Sequence, residues 1–163
     1  MSRHRVIRVL PFTPQQLFEL VGDVDRYPDF VPWITSMRTW NAHVEEDGAS
    51  VVDAEATVGF KFLREKFATR VRRDPLIPSI EVSLLHGPFR RLANRWLFEE
   101  HPQGARVVFD IDFAFKSTLL ELTLAANFDR AVGKLMECFE RRAQALYGPR
   151  AAPPRAQSAS ARG

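Results

Sequence analysis

Val52, Ala54, Ala56, Val58 and Phe60 alternate with Asp53, Glu55, Thr57 and Gly59. Phe67, Thr69 and Val71 alternate with Ala68, Arg70 and Arg72, and Ile80, Val82 and Leu84 with Glu81, Ser83 and Leu85. Val107, Phe109, Ile111, Phe113 and Phe115 alternate with Val108, Asp110, Asp112 and Ala114. A period of two over Trp33 to Lys116 predicts about six strands of an antiparallel sheet with one buried face. Asp74-Pro75, His86-Gly87-Pro88 and Gln103-Gly104 mark turns between them. A first strand precedes these at residues 3–10. Thr13, Pro14 and Gln16 then form a capping-box helix start, with Leu17, Phe18, Leu20 and Val21 on its apolar side and Gly22 at its end. A second short helical turn is expected from Asp23, stopping before Pro28.

The period changes near Leu119. Leu124, Phe128, Ala131, Leu135, Phe139, Ala143 and Leu146 form a stripe at helical spacing, and Arg130, Lys134, Glu137, Arg141 and Gln144 lie opposite. One long helix, Leu119 to Tyr147, is predicted, stopped by Gly148-Pro149. An α+β fold follows: a curved antiparallel sheet must cover one face, and this helix is the large amphipathic element that can do so. Residues 1–148 make one domain. Residues 149–163, rich in Pro, Ala, Ser and Arg, are expected to be a disordered tail.

Composition sharpens the interior. Thirteen of 163 residues are Phe, which has no polar handle and belongs in a core, a cavity wall or a sticky surface. The net charge of +3 resides in Arg150, Arg155 and Arg162 of the tail, and the body is neutral but uneven. Residues 61–95 are basic and both flanks acidic, so an anionic partner should meet the middle segment or the tail. Cys138 is the only cysteine, which excludes an intrachain disulfide and fits a reducing compartment. No apolar run approaches the ~20 residues of a membrane span, and MSRHRVIRV lacks the apolar block of a secretory signal.

Catalytic signals are sparse. His4, His43, His86 and His101 are isolated, with no metal-ligand spacing, and no nucleophile elbow or phosphate loop occurs. Asp110 and Asp112 share a strand face and read as its solvent side rather than an acid–base pair. Cys138 reads as a small buried hydrophobe, and His86 as a turn or surface residue. No catalytic residue, metal or resident cofactor is assigned.

Two segments stand out. Tyr27-Pro28-Asp29-Phe30-Val31-Pro32-Trp33 packs three aromatics and two prolines into one stiff stretch, either the rim of an apolar pocket or a plug at the end of the core. His86-Gly87-Pro88-Phe89-Arg90-Arg91-Leu92 is a turn running into a strand, with Phe89 beside two arginines.

These segments carry a resemblance. Asp23-Val24-Asp25-Arg26-Tyr27-Pro28-Asp29-Phe30-Val31-Pro32-Trp33 is similar to the D-V-x-x-Y-P-x-F-(V/L)-P-W segment of the coenzyme Q-binding protein family. Gly87-Pro88-Phe89-Arg90-Arg91-Leu92 resembles its G-P-F-(K/R)-x-L turn, Trp96-Leu97-Phe98 its W-x-F strand and Asp112-Phe113-Ala114-Phe115 its D-F-x-F strand. The closely related ribosome association toxin family shares them, and both belong to the polyketide cyclase/dehydrase-like group of START-like, helix-grip domains. Trp33 resembles the quinone-binding branch, although Ile34 stands where a Cys commonly follows there. The resemblance implies a helix-grip fold and non-catalytic binding and delivery of a polyisoprenoid quinone such as ubiquinone, carried as ligand in support of respiration. It implies a protein of the bacterial cytoplasm peripheral to the inner membrane. The alternatives are a ribosome-subunit-binding protein that blocks subunit association, and an aromatic polyketide cyclase or dehydrase.

Alternation and helix phase then place the ligand. A cavity between sheet and helix is expected to be lined by Phe60, Phe62, Phe67, Trp96, Phe109, Phe113, Leu124, Phe128 and Leu135. Tyr27, Phe30 and Trp33 are expected near its mouth, and Val31, Pro32 and Phe89 are counted among the ligand-binding residues. Arg70, Arg72, Arg90 and Arg91, with Arg64, Lys66, Arg73 and Arg95, form a basic set suited to membrane or RNA contact.

Overall fold

The computed structural model describes residues 2–60, 63–124 and 127–148, without the side chains of residues 2, 60, 63, 123 and 124. The expected Phe62 and the tail 149–163 lie outside the described residues, as do the side chains of Phe60 and Leu124.

The alternating segments are strands: β1 (Ser2–Leu10), β2 (Ile34–Val44), β3 (Ser50–Phe60), β4 (Leu63–Asp74), β5 (Ser79–His86), β6 (Phe89–His101) and β7 (Gly104–Phe115). They form one antiparallel seven-stranded sheet, ordered β1-β7-β6-β5-β4-β3-β2. Hairpins join β2 through β7 in sequence order, and β1 closes on β7 over nine register pairs, Ser2↔Phe113 to Leu10↔Ala105. Helices α1 (Pro14–Gly22), α2 (Tyr27–Phe30), α3 (Thr118–Leu124) and α4 (Phe128–Tyr147) complete the chain. The Thr13 capping box forms as read: its Oγ1 accepts from the Gln16 N–H at 3.0 Å and the Gln16 side chain accepts from the Thr13 N–H at 3.0 Å.

Two expectations change. The expected helical turn forms as a 3-10 helix, Val24–Arg26, but helical structure does not stop before Pro28, because α2 follows directly and runs through it. Pro28 sits in the first turn, where a missing N–H breaks no helical bond. The C-terminal segment is two helices flanking residues 125–127, not one helix from Leu119. The stripe of α4 turned to the sheet is Val132, Met136, Phe139 and Ala143, with Cys138 also buried. Ala131 and Leu146 are exposed and Leu135 is half-buried. The bulkier Val132 and Met136 fill the contact while Ala131 faces out, whereas Arg130, Lys134, Glu137, Arg141 and Gln144 face solvent as expected.

The core lies between the inner sheet face, α1 and α4. Trp96 stacks on Phe98 at 6.2 Å and meets Phe109 at 4.3 Å and Phe139 at 5.3 Å. Burying each such side chain contributes on the order of 1.5–3 kcal/mol.

Candidate functional site

The Tyr27–Trp33 segment closes one side of this core. The Tyr27 ring packs on Phe30 at 5.8 Å and on Phe139 at 5.4 Å, and its hydroxyl donates to the Val21 carbonyl. Burial, reinforced by Asp23, holds that phenol above its ordinary pKa. Val31 is fully buried, Trp33 half-buried and Pro32 exposed. A void of about 20 Å³ remains between Trp96, Phe98 and Val107 on the sheet, Leu17 and Val21 on α1, and Met136 and Phe139 on α4. That is room for about one water.

A second apolar cluster lies beneath α3 and the first turn of α4. Leu92, Phe113 and Phe115 are buried at its base, and Phe67, Leu84, Phe89, Ile111, Leu120 and Phe128 pack on them only partly buried. Phe113 stacks on Phe128 at 4.0 Å, Phe89 on Phe115 at 4.9 Å, and Phe67 meets Phe89 edge-on at 5.4 Å. Gly87 allows this approach: its φ is +155°, and a Cβ there would fall 2.5 Å from the Phe67 Cβ. His4 borders the cluster, 4.9 Å from the Phe128 ring and 2.6 Å from Asp129 through Nδ1. Of the expected lining, Phe67, Phe89, Phe113 and Phe128 come together here. Trp96 and Phe109 belong to the main core, and Leu135 packs half-buried against that core.

The inner face also carries a polar residue the sequence did not single out. Asn94 is in register with Val82 and Ile111, and its Oδ1 is buried without a hydrogen-bond partner among the described residues. An alternating strand hides such a residue, because one polar position among apolar ones reads as noise.

Of the expected basic set, Arg73 lies on the inner face of the sheet, where it donates to the Gly22 carbonyl at the end of α1 at 2.7 Å, whereas Arg70, Arg72, Arg91 and Arg95 lie on the outer face. A groove of about 850 Å³ runs across the strands there between two rows, one including Arg5, Asp110, Arg95 and Glu81, the other Arg3, Asp112, Ala93 and Ser83. Its arginines are paired: Arg5 with Asp110 at 2.7 Å, Arg70 with Asp53 at 2.8 Å, Arg72 with Glu45 at 3.1 Å and Arg95 with Glu81 at 3.7 Å. Arg91 meets Asp112 at 3.1 Å and, by its hydrogen bond, holds that carboxyl below its ordinary pKa. Asp110 and Asp112 are thus ion-paired acceptors, a poor arrangement for proton transfer. Arg90 differs from its neighbour. It is the extra residue of a bulge between Phe89↔Phe115 and Arg91↔Ala114, is exposed, and makes no ion pair among the described residues.

Cys138 is buried, and burial raises its thiol pKa, which keeps it an unreactive thiol. Among the described residues no three His, Cys, Asp or Glu side chains gather as metal ligands would, and no helix is long and apolar enough to cross a membrane.

Residues 10–140 match the family described as polyketide cyclase / dehydrase and lipid transport. The chain belongs to that family. Within it, the chain is 36% identical over 143 residues to the "Ribosome association toxin RatA" of Pseudomonas aeruginosa, covering 86% of this chain and 94% of that one. It is 34% identical over 118 residues to "Coenzyme Q-binding protein coq10, mitochondrial" of Schizosaccharomyces pombe, covering 71% of each. The solution structure of an 18 kDa protein from Caulobacter crescentus is 66% identical and superposes with a TM-score of 0.77 over 91% of this chain and 99% of that one. The Zhui aromatase/cyclase of Streptomyces, at 17% identity and a TM-score of 0.71 over 88% of this chain and 92% of that one, shares the fold. A START-like domain suited to hydrophobic ligands is the family's common ground, and the two curated relatives are named for ribosome association and for coenzyme Q binding rather than for a reaction.

Proposed function

We propose that this protein binds a polyisoprenoid quinone such as ubiquinone and delivers it unchanged, in support of respiratory electron transport. The observation that carries the reading is the second cluster. Phe67, Phe89 and Phe128 stand half-buried over Leu92, Phe113 and Phe115, an aromatic surface that a planar ring can enter and stack upon. The coenzyme Q-binding relative supports the choice of ligand. The void of about 20 Å³ beside Trp96 is far too small for a quinone ring. The ligand therefore enters by parting α3 and Phe128 from the sheet, a movement that breaks the Phe115 N–H bond to Glu121 and the His4–Asp129 pair. Nothing in this path asks a residue to transfer a proton or form a bond.

A second reading, binding to a ribosomal subunit so as to block subunit association, is favoured by the RatA relative at 36% identity. One experiment separates them. The protein is purified from a quinone-producing bacterium, its extracted lipids are analysed by mass spectrometry, and its co-sedimentation with ribosomal subunits is followed across a salt series. Stoichiometric quinone without ribosome binding supports the carrier. Empty protein that sediments with a subunit and is released steeply by salt, as phosphate-backbone contacts are, establishes the ribosome reading instead.

A further inference from the structure

The end of β3 with the start of β4, the β5–β6 turn and the passage from β7 into α3 all lie at one end of the sheet, because the intervening hairpins alternate ends. Direct contacts knit them: the Lys116 N–H donates to the Pro88 carbonyl at 2.9 Å, Phe67 meets Phe89, and Leu120 of α3 packs into the same cluster. Three leucines at this end are left in water. Leu119 and Leu122, three apart on α3, are 72% and 73% exposed, and Leu85, the bulged residue of β5, is 39% exposed. Exposed Arg64, Lys66, Arg90 and Lys116 lie at the same end of the sheet, and none makes an ion pair among the described residues. The arginines of the outer sheet face, by contrast, are matched with carboxylates.

The acids at this end are committed elsewhere. Asp112 is shared by Arg3 and Arg91, Asp129 holds His4, and Glu121 accepts the Phe115 N–H at 3.4 Å. Glu55 on β3 pairs with Arg38 at 3.3 Å, and Glu65 is half-buried on β4. The opposite end has the reverse character. Glu45, Glu46 and Asp47 lie at the β2–β3 turn, Asp74 at the β4–β5 turn, and Glu99 and Glu100 lead into the β6–β7 turn. Exposed apolar residues occur there too, with Leu76 83% and Ile77 53% exposed, but beside carboxylates. The N-terminus of α4, the positive pole of a 20-residue helix, points to the basic end.

We infer that the basic end, which carries Leu119 and Leu122 together with Arg64, Lys66, Arg90 and Lys116, docks on the surface of an anionic phospholipid bilayer. Leucines that share an end with free cations fit an interface in which apolar side chains enter the acyl boundary while the cations hold phosphates. A nucleic acid would use the cations and leave the leucines in water. The dipole along the strands turns this end toward a negative surface before contact. The half-buried aromatic cluster lies at the same end, beneath α3, so docking brings the ligand's entry to the membrane. The inference rests on the carrier reading for its purpose, yet the surface is tested without any ligand.

The test is flotation of the full chain with phosphatidylcholine vesicles, with and without phosphatidylglycerol and free of quinone. The unmodified chain is expected to float with the anionic vesicles, less so as salt rises. L119S/L122S should lose most of that binding, and R90S and K116S should each lose about fivefold. L76S, the same change at the acidic end, should bind as before. All five positions are exposed, and circular dichroism checks that the variants fold. Equal binding by all variants, or none by the unmodified chain, overturns the inference. So does salt-sensitive binding to ribosomal subunits that needs Arg90 and Lys116 but is indifferent to L119S/L122S. Quinone content of the same preparations is measured separately, so a failed docking surface is distinguished from a failed carrier.

Discussion

Asn94 and Asp53 are the two polar side chains whose surroundings predict most. The Asn94 Oδ1 is buried on the inner face of β6 with no partner among the described residues, a situation that costs about 1–3 kcal/mol. Asn94→Leu is therefore expected to raise the melting temperature in calorimetry, by roughly 2–4 °C for each kcal/mol recovered; a fall would show that the amide is satisfied in solution. Asp53 lies on the outer face of β3, buried under Arg70, which donates to it at 2.8 and 3.1 Å, and Asn41, at 3.2 Å. The Arg70 hydrogen bonds, chief among these causes, hold the carboxyl below its ordinary pKa. A lowered folded-state value contributes stability above the unfolded value, near pH ~4, and that contribution disappears as pH falls through the folded value. Urea titrations of Asp53→Asn should show lower stability at neutral pH and a flatter decline in acid than the unmodified chain. An identical acid slope in both would remove Asp53 from the account.

At the scale of elements, α4 offers the clearest comparison. Phe139 and Ala143 are buried as the helical spacing predicts, but the first half of the stripe runs through Val132 and Met136 rather than Ala131 and Leu135. Spacing alone leaves a one-residue ambiguity, because 3.6 residues per turn drifts against any fixed repeat. The contact is settled by which side chains fill the space against β6 and β7. Ala131→Glu should leave the denaturation midpoint nearly unchanged, whereas Met136→Glu buries an unpaired carboxylate and should cost several kcal/mol or unfold the domain. Comparable losses from both would refute the phase. The Tyr27–Trp33 segment reads as rim or plug in sequence, and the structure shows mostly plug. Tyr27 and Phe30 pack on Phe139, a residue more than a hundred positions away, so no local signal was available to separate the two.

For the whole molecule, the tight interior sets the kinetics. With a void of about 20 Å³ beside Trp96, a quinone cannot enter by diffusion into an open cavity. On the carrier reading proposed above, stopped-flow tryptophan quenching by a short-chain ubiquinone should show an observed rate that levels off at high ligand, because that reading requires α3 to open before binding. A rate rising linearly to the fastest mixing would mean an open pocket already exists in solution.

The local sequence was enough to establish a first strand and about six more, three of the turns between them, the Thr13 cap and a sheet closed by a C-terminal amphipathic helix. These are set within a few residues by steric period and hydrogen-bond need, so they are written locally. The aromatic content likewise foretold an apolar interior. What the linear chain left open was partnership. Arg70, Arg72 and Arg91 look like free cations until antiparallel register sets them against Asp53, Glu45 and Asp112. Arg90, one position away, stays free because a bulge displaces it. The gathering of Arg64, Lys66, Arg90 and Lys116 at the end that carries Leu119 and Leu122 follows from hairpins that return to the same end of the sheet. Coulomb pairing and desolvation act over a few ångströms through space, and those distances exist only once the sheet has closed.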